Sequence, residues 1–195
     1  MQAHNTELLA LANREGFPYW AERGDIWRSW LLTVQGQYAE GMALFSQGVS
    51  ARRARGVKAY PKFSTVLMID AYHRAGQAKM GLRLMDEAQT DMDSRQEGFY
   101  DVALLQLKGE LLLQQTPSDA SQAEDCFQQA LALSQHQGAR LSELRIALCL
   151  SRLWQQQDKQ AAAYALLAPV YQWFTEGFDT VDLEGAKALL DACKR

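Results

Sequence analysis

The 195-residue sequence is poor in the residue patterns that usually carry chemistry. Its three cysteines, Cys126, Cys149 and Cys193, are odd in number, widely spaced and free of any CxxC pair, which excludes a disulfide framework. Its three histidines, His4, His73 and His136, complete no metal-ligand cluster, so neither a metal nor another cofactor is expected. No GxxxxGK[ST] phosphate loop occurs. Serine, cysteine and histidine fall into no recognisable nucleophile–base arrangement, and an enzyme is not expected. An excess of basic charge is also missing: 20 Lys and Arg stand against 23 Asp and Glu, a net charge of -3. A nucleic-acid partner, which calls for a basic face, is therefore not expected. The one dense basic run, Arg52, Arg53 and Arg55, reads as the cationic end of a helix, where it suits the dipole. No apolar run approaches the ~20 residues of a membrane span. The N-terminal stretch MQAHNTELLALANREG is neither basic nor apolar enough for a signal peptide. These absences lead to an expectation of a reduced, cytoplasmic chain with no membrane partner.

What the sequence has is a period. Gly16, Gly56, Gly98, Gly138 and Gly177 are separated by 40, 42, 40 and 39 residues, and each follows the polar end of an apolar-periodic segment. Glycine just past a helix end supplies the left-handed backbone conformation that other residues resist. A second set of turns falls midway, at Gly36, Gly76, Thr116–Asp119 and Asp158. Each repeat then reads as helix, turn, helix. The first helices are expected over about 18–35, 59–75, 99–115 and 140–157, the second over about 38–55, 78–97, 120–137 and 160–176. β-branched residues are scattered and never alternate over a full window, so no strands are expected. The repeats run 17–56, 57–98, 99–138 and 139–177. Residues 1–16 form a partial repeat helix and residues 178–195 a closing helix, with Leu183, Ala186, Leu189 and Leu190 as its buried stripe. Asp179 or Thr180 is the candidate cap, and Pro169 is expected to kink the second helix that contains it.

Small residues recur in register. The second helices carry Gly41, Gly81, Ala123 and Ala163, and seven residues later Gly48, Ala88, Ala130 and Val170; Phe45, Met85, Phe127 and Leu167 lie between. The first helices carry Ser29, Gly109 and Ser151 as the small partner. Glycine inside a helix costs about 1 kcal/mol against alanine, so Gly41, Gly48 and Gly81 read as sites of close helix packing. This alternation of small and large residues resembles a tetratricopeptide-type hairpin, though 40 residues is a long repeat. The expected fold is all-α: one tetratricopeptide-like α-α superhelix of four hairpins with flanking helices, filling residues 1–195. The stretches LKGELLLQQ, AEDCFQQALALSQHQGARLSELRIALCLSRLWQQQ and LLAPVYQWFTEGFDTVDLEGAKALLDA are more specifically similar to the C-terminal region of large bacterial proteins. Those proteins join a nucleotide cyclase or a DNA-binding domain to an ATPase module and a repeat array. That resemblance implies an interaction or regulatory arm in bacterial signalling, and it transfers no catalytic residue, because the cyclase and ATPase motifs are absent here.

In stacked hairpins of this kind the first helices line the concave side. The candidate partner-binding residues on that side are Arg23, Trp27 and Trp30, then Asp70, His73 and Arg74, then Gln106 and Glu110, then Arg145 and Arg152. Tryptophan and arginine are enriched where binding energy concentrates. Trp27 reads equally as core, and Trp20 more readily as core than as contact. Asp70, Glu110 and Arg152 read equally as a ladder of charge pairs between neighbouring helices. The expected function is a non-catalytic scaffold for a protein or peptide partner. The alternative is a small-ligand sensor arm of a signalling or transcription regulator. The helix at residues 5–15, carrying Leu8, Leu9 and Leu11 without a preceding partner, leads to an expectation of self-association as a homodimer through residues 5–35.

Overall fold

A computed structural model describes residues 2–54, 62–91, 98–115 and 120–193, and among them it holds ten α-helices and no strand. The chain divides into two compact units, Met1–Gln96 and Glu97–Arg195, at the border between the second and third repeats. The first unit holds α1 (Gln2–Arg14), α2 (Pro18–Val34), α3 (Tyr38–Ala54), α4 (Lys62–Arg74) and α5 (Ala78–Asp91). The second holds α6 (Gly98–Gln115), α7 (Ala120–His136), α8 (Arg140–Gln156), α9 (Gln160–Gln172) and α10 (Val181–Cys193). Within each unit, neighbours in sequence pack as antiparallel hairpins, and first helices also touch one another: α2 with α4, α6 with α8, and α8 with α10. α10 thus occupies the place of a next first helix, with Leu183, Ala186, Leu189 and Leu190 buried against α8 and α9.

The turns repeat one geometry. Gly36, Gly76 and Gly138 have φ of +80°, +69° and +66°, and Asp158 adopts φ 60° at the equivalent place. The amide of the following residue then reaches back around the helix end, Gln37 to the Leu32 carbonyl (2.9 Å), Gln77 to Tyr72 (2.9 Å), Ala139 to Ser134 (2.9 Å) and Lys159 to Trp154 (2.8 Å). This double-bonded helix end satisfies carbonyls that would otherwise be orphaned and reverses the chain within a few residues. Gly16 and Gly177 also take positive φ. Gly98 is the first residue of α6. The expected turns at Gly56 and Thr116–Asp119 lie outside the described residues. The Thr180 hydroxyl donates to the Gly177 carbonyl at 2.7 Å, and the Thr180 carbonyl accepts the Glu184 amide at 2.9 Å. α9 includes Pro169 and ends at Gln172, four residues before the expected end.

Most small residues of the hairpins are buried, but they are not all contacts. A Cβ added at Gly41 would lie 2.7 Å from the Ser29 carbonyl oxygen and 2.8 Å from Thr33 Cγ2, so α2 and α3 touch closely there. A Cβ added at Gly109 would lie 2.5 Å from the Phe127 ring. Ser151 closes the α8–α9 hairpin directly, its hydroxyl donating to the Ala163 carbonyl at 3.1 Å. Gly24, which the repeat pattern does not mark, receives Leu9 of α1, and a Cβ on Gly24 would meet Leu9 Cδ2 at 2.6 Å. Gly48 corrects the expectation of close packing, since a Cβ there would meet nothing within 4 Å among the described residues. The two glycines of α3 therefore predict opposite outcomes. Gly48→Ala should raise stability by about 1 kcal/mol through helix propensity alone. Gly41→Ala should lower it by about 1 kcal/mol, because backbone strain exceeds the same gain. Urea midpoints of the two variants check the sign; a shift of both in one direction would contradict the packing described.

Candidate functional site

The first unit gathers six of the ten candidate residues. Arg23, Trp27 and Trp30 follow one another at helical spacing on α2, and Asp70, His73 and Arg74 lie at the end of α4, the helix packed beside it. The indole N–H of Trp30 donates to Asp70 Oδ2 at 2.6 Å, and Arg74 Nε donates to the same oxygen at 2.7 Å. Trp27 meets Trp30 edge to face at 5.5 Å between ring centroids and Phe63 of α4 at 5.2 Å. The Arg23 guanidinium lies 5.1 Å from the Phe63 centroid and 5.6 Å from that of Tyr19, whose hydroxyl accepts a 2.9 Å bond from Arg23. A cation held over a ring face within ~6 Å is attracted by the ring quadrupole. The result is a continuous strip: Tyr19, Arg23, Phe63, Trp27, Trp30, Asp70, Arg74. Trp27 and Trp30 are half-buried, with their rings shared between packing and surface. Trp20, expected more readily as core, is 50% exposed, because it sits in the first turn of α2. His73 is half-buried and engaged with a neighbour.

The second unit gathers the other four. Gln106 donates to Glu110 Oε1 at 3.0 Å along α6, and the Cys149 thiol of α8 donates to the same oxygen at 3.3 Å. Burial, and then the adjacent Glu110 carboxylate, push the Cys149 thiol well above its ordinary range. That shift favours the protonated thiol, which serves as a hydrogen-bond donor between α8 and α6. Arg145 donates twice to Asp182 Oδ2 of α10, at 2.8 and 3.0 Å. Arg152 lies against α10 as well, its guanidinium 3.4 Å from where a Cβ on Gly185 would stand. Trp154, nearby on α8, donates to Glu124 of α7 at 2.8 Å.

The six candidates of the first unit lie together on α2 and α4, whereas those of the second divide between Gln106 and Glu110 beside Cys149 and Arg145 and Arg152 against α10. Asp70 and Glu110 each accept a bond from the neighbouring first helix, from the Trp30 indole and the Cys149 thiol, while the ion pair of Asp70 is with Arg74 on its own helix. Cys149, the partner of Glu110, and Asp182, the partner of Arg145, are not among the candidates. A signal for them is present in the sequence: Trp30 and Asp70 are 40 residues apart, Glu110 and Cys149 are 39, and Arg145 and Asp182 are 37. Each pair spans about one repeat, the separation at which first helices adjoin. Among the described residues no group of His, Cys, Asp and Glu could hold a metal ion, and no helix is long and apolar enough to cross a membrane.

Neither a protein-family model nor a curated protein sequence matches the chain. Solved structures do. The nearly identical TPR-like repeats of a Podosopora anserina protein described as a kinesin light chain superpose with a TM-score of 0.65 at 18% identity. A form of the same protein with a single methionine substitution superposes with a TM-score of 0.66 at 17% identity. Each match covers 88% of this chain and 84% of the other. At such identity the likeness speaks for fold alone, and it agrees with the helical hairpins: the chain has an all-α, tetratricopeptide-like repeat fold.

Proposed function

We propose that this chain is a non-catalytic protein-interaction scaffold whose α2–α4 face docks a peptide or helix carrying acidic and apolar side chains. One observation carries the reading: Arg23, Phe63 and Trp27 form a cation–aromatic strip that is only partly buried and ends at Arg74, whose side chain is exposed. Aromatic and arginine side chains held rigid at a surface lose little entropy on binding, and their exposed faces remain available to a partner. Helical-hairpin repeats typically serve as protein-binding scaffolds. The resemblance to the C-terminal region of bacterial cyclase and ATPase proteins supports reading this docking as the work of a regulatory arm in a signalling or ATPase-linked protein.

Panning a phage-displayed peptide library against the full chain tests this. Enriched peptides should pair Asp or Glu with an aromatic or aliphatic residue. Trp27→Ala and Arg23→Ala should each weaken them by about tenfold or more, the range of a binding hot spot, with helical circular dichroism unchanged. Peptides indifferent to both substitutions would place docking elsewhere. We also propose self-association through residues 5–35, where Leu11, Phe17, Tyr19 and Trp20 stand exposed. Light scattering should give a dimer mass at tens of micromolar; a clean monomer would refute it.

A further inference from the structure

Gly48 is the start of a second site. Its counterpart in α7 is Ala130, fully buried in a cluster with Ile146 and Leu150. At Gly48 a Cβ would meet no described residue within 4 Å, and a cleft of ≈ 490 Å³ lies among the helices of the first unit. Its walls include Ala21, Asp25 and Ile26 of α2, Phe45 and Gly48 of α3, and Met68 of α4. This is the size and character of a small-molecule site: concave, mostly apolar, with few polar groups. Its described lining contains no Lys, Arg or His, and its charged members are Glu22 and Asp25. Glu22 already has an interaction of its own. Burial raises the Asp25 carboxyl above its usual range, with Arg28 opposing the shift, so this carboxylate gains from a cation that replaces lost water.

We propose that this cleft binds a small organic ammonium ion with an aromatic or aliphatic body, the ammonium N–H donating to the Asp25 carboxylate and the body resting on Ile26, Phe45 and Met68. The apolar walls exclude inorganic cations as good occupants, because these keep their water. The carboxylate selects amines over neutral molecules of the same shape. The site is separate from the docking strip. Ala21, Asp25 and Ser29 follow one stripe of α2, while Arg23, Trp27 and Trp30 follow another. It gives the small-ligand sensor reading a location, and its success or failure leaves peptide docking unaffected.

The probe is 1-naphthylmethylamine, with 1-naphthylmethanol as the neutral molecule of matching shape, each titrated into the full chain by calorimetry at pH 7. The amine should bind saturably and about tenfold more tightly than the alcohol, the difference expected of a charge-assisted hydrogen bond. Asp25→Asn should reduce the amine to the affinity of the alcohol. Gly48→Leu, which fills the cleft without meeting any neighbour at Cβ, should abolish binding of both while leaving Tm unchanged or raised. Equal affinity of the two probes, no saturable binding of the amine, or unchanged affinity in Gly48→Leu would each overturn the proposal. If Asp25→Asn loses helical circular dichroism, the amine–alcohol ratio and the Gly48→Leu titration still decide it.

Discussion

Phe127→Ala should lower the stability of the chain by ~3–5 kcal/mol, the usual cost of deleting a fully buried aromatic ring. The ring is 0% exposed and belongs to the cluster of Val102, Ala123, Ala130, Ile146, Leu150 and Leu153, drawn from α6, α7 and α8. Its loss leaves a void among three helices. On the α6 side the ring rests on Gly109, which has no side chain to move into the gap. A domain is stable by only about 5–15 kcal/mol, so the variant should unfold at a much lower urea concentration. A midpoint shift worth less than ~1 kcal/mol would show that the cluster can collapse around the void. The reverse fault tests the same contact. Gly109→Ala forces a methyl into the ring, whereas in a Phe127→Leu background the same substitution should cost less. A coupling of ~0.5–3 kcal/mol in that double-mutant cycle is expected of two residues in direct contact.

Ala123→Leu and Ala130→Leu should each destabilise by ~1–3 kcal/mol, because added carbon in a filled helix contact is accommodated only by strain. Both alanines are 0% exposed, and both flank Phe127 on one stripe of α7. Gln128→Leu and Gln129→Leu, on the exposed face of the same helix, should stay within ~0.5 kcal/mol of the parent chain. Urea midpoints for the four variants form one experiment. If the buried and exposed substitutions behave alike, Ala123 and Ala130 are not contacts.

The hairpins were legible because their signals are local. A helix end in this chain needs one residue with positive φ, and glycine takes that conformation without a clashing Cβ, so Gly36, Gly76 and Gly138 mark the turns wherever the helices later pack. Even Asp158 was readable from its place in the period. The closing helix was readable too, since Leu183, Ala186, Leu189 and Leu190 share one stripe and a stripe of that width has to be buried. The partners in the ladder were half legible. Trp30 with Asp70, Glu110 with Cys149 and Arg145 with Asp182 each span about one period, but the period names a region and not the atom that will accept a proton.

By itself, then, the sequence determined the helical class, the 40-residue repeat and most of the turns, because backbone sterics and hydrophobic period act over a few residues at a time. Only the tertiary structure decided the rest. Gly41 and Gly48 are the same residue seven positions apart on one helix, yet a Cβ on one would meet the Ser29 carbonyl and a Cβ on the other would meet no described residue within 4 Å. Trp20 and Trp27 share a helix and a side-chain type, yet one is exposed in the first turn and the other is held between Trp30 and Phe63. A missing side chain becomes a contact or a cleft, and an indole becomes core or surface, according to where the neighbouring helix lies; that distance is set by the whole packed unit and by no residue alone.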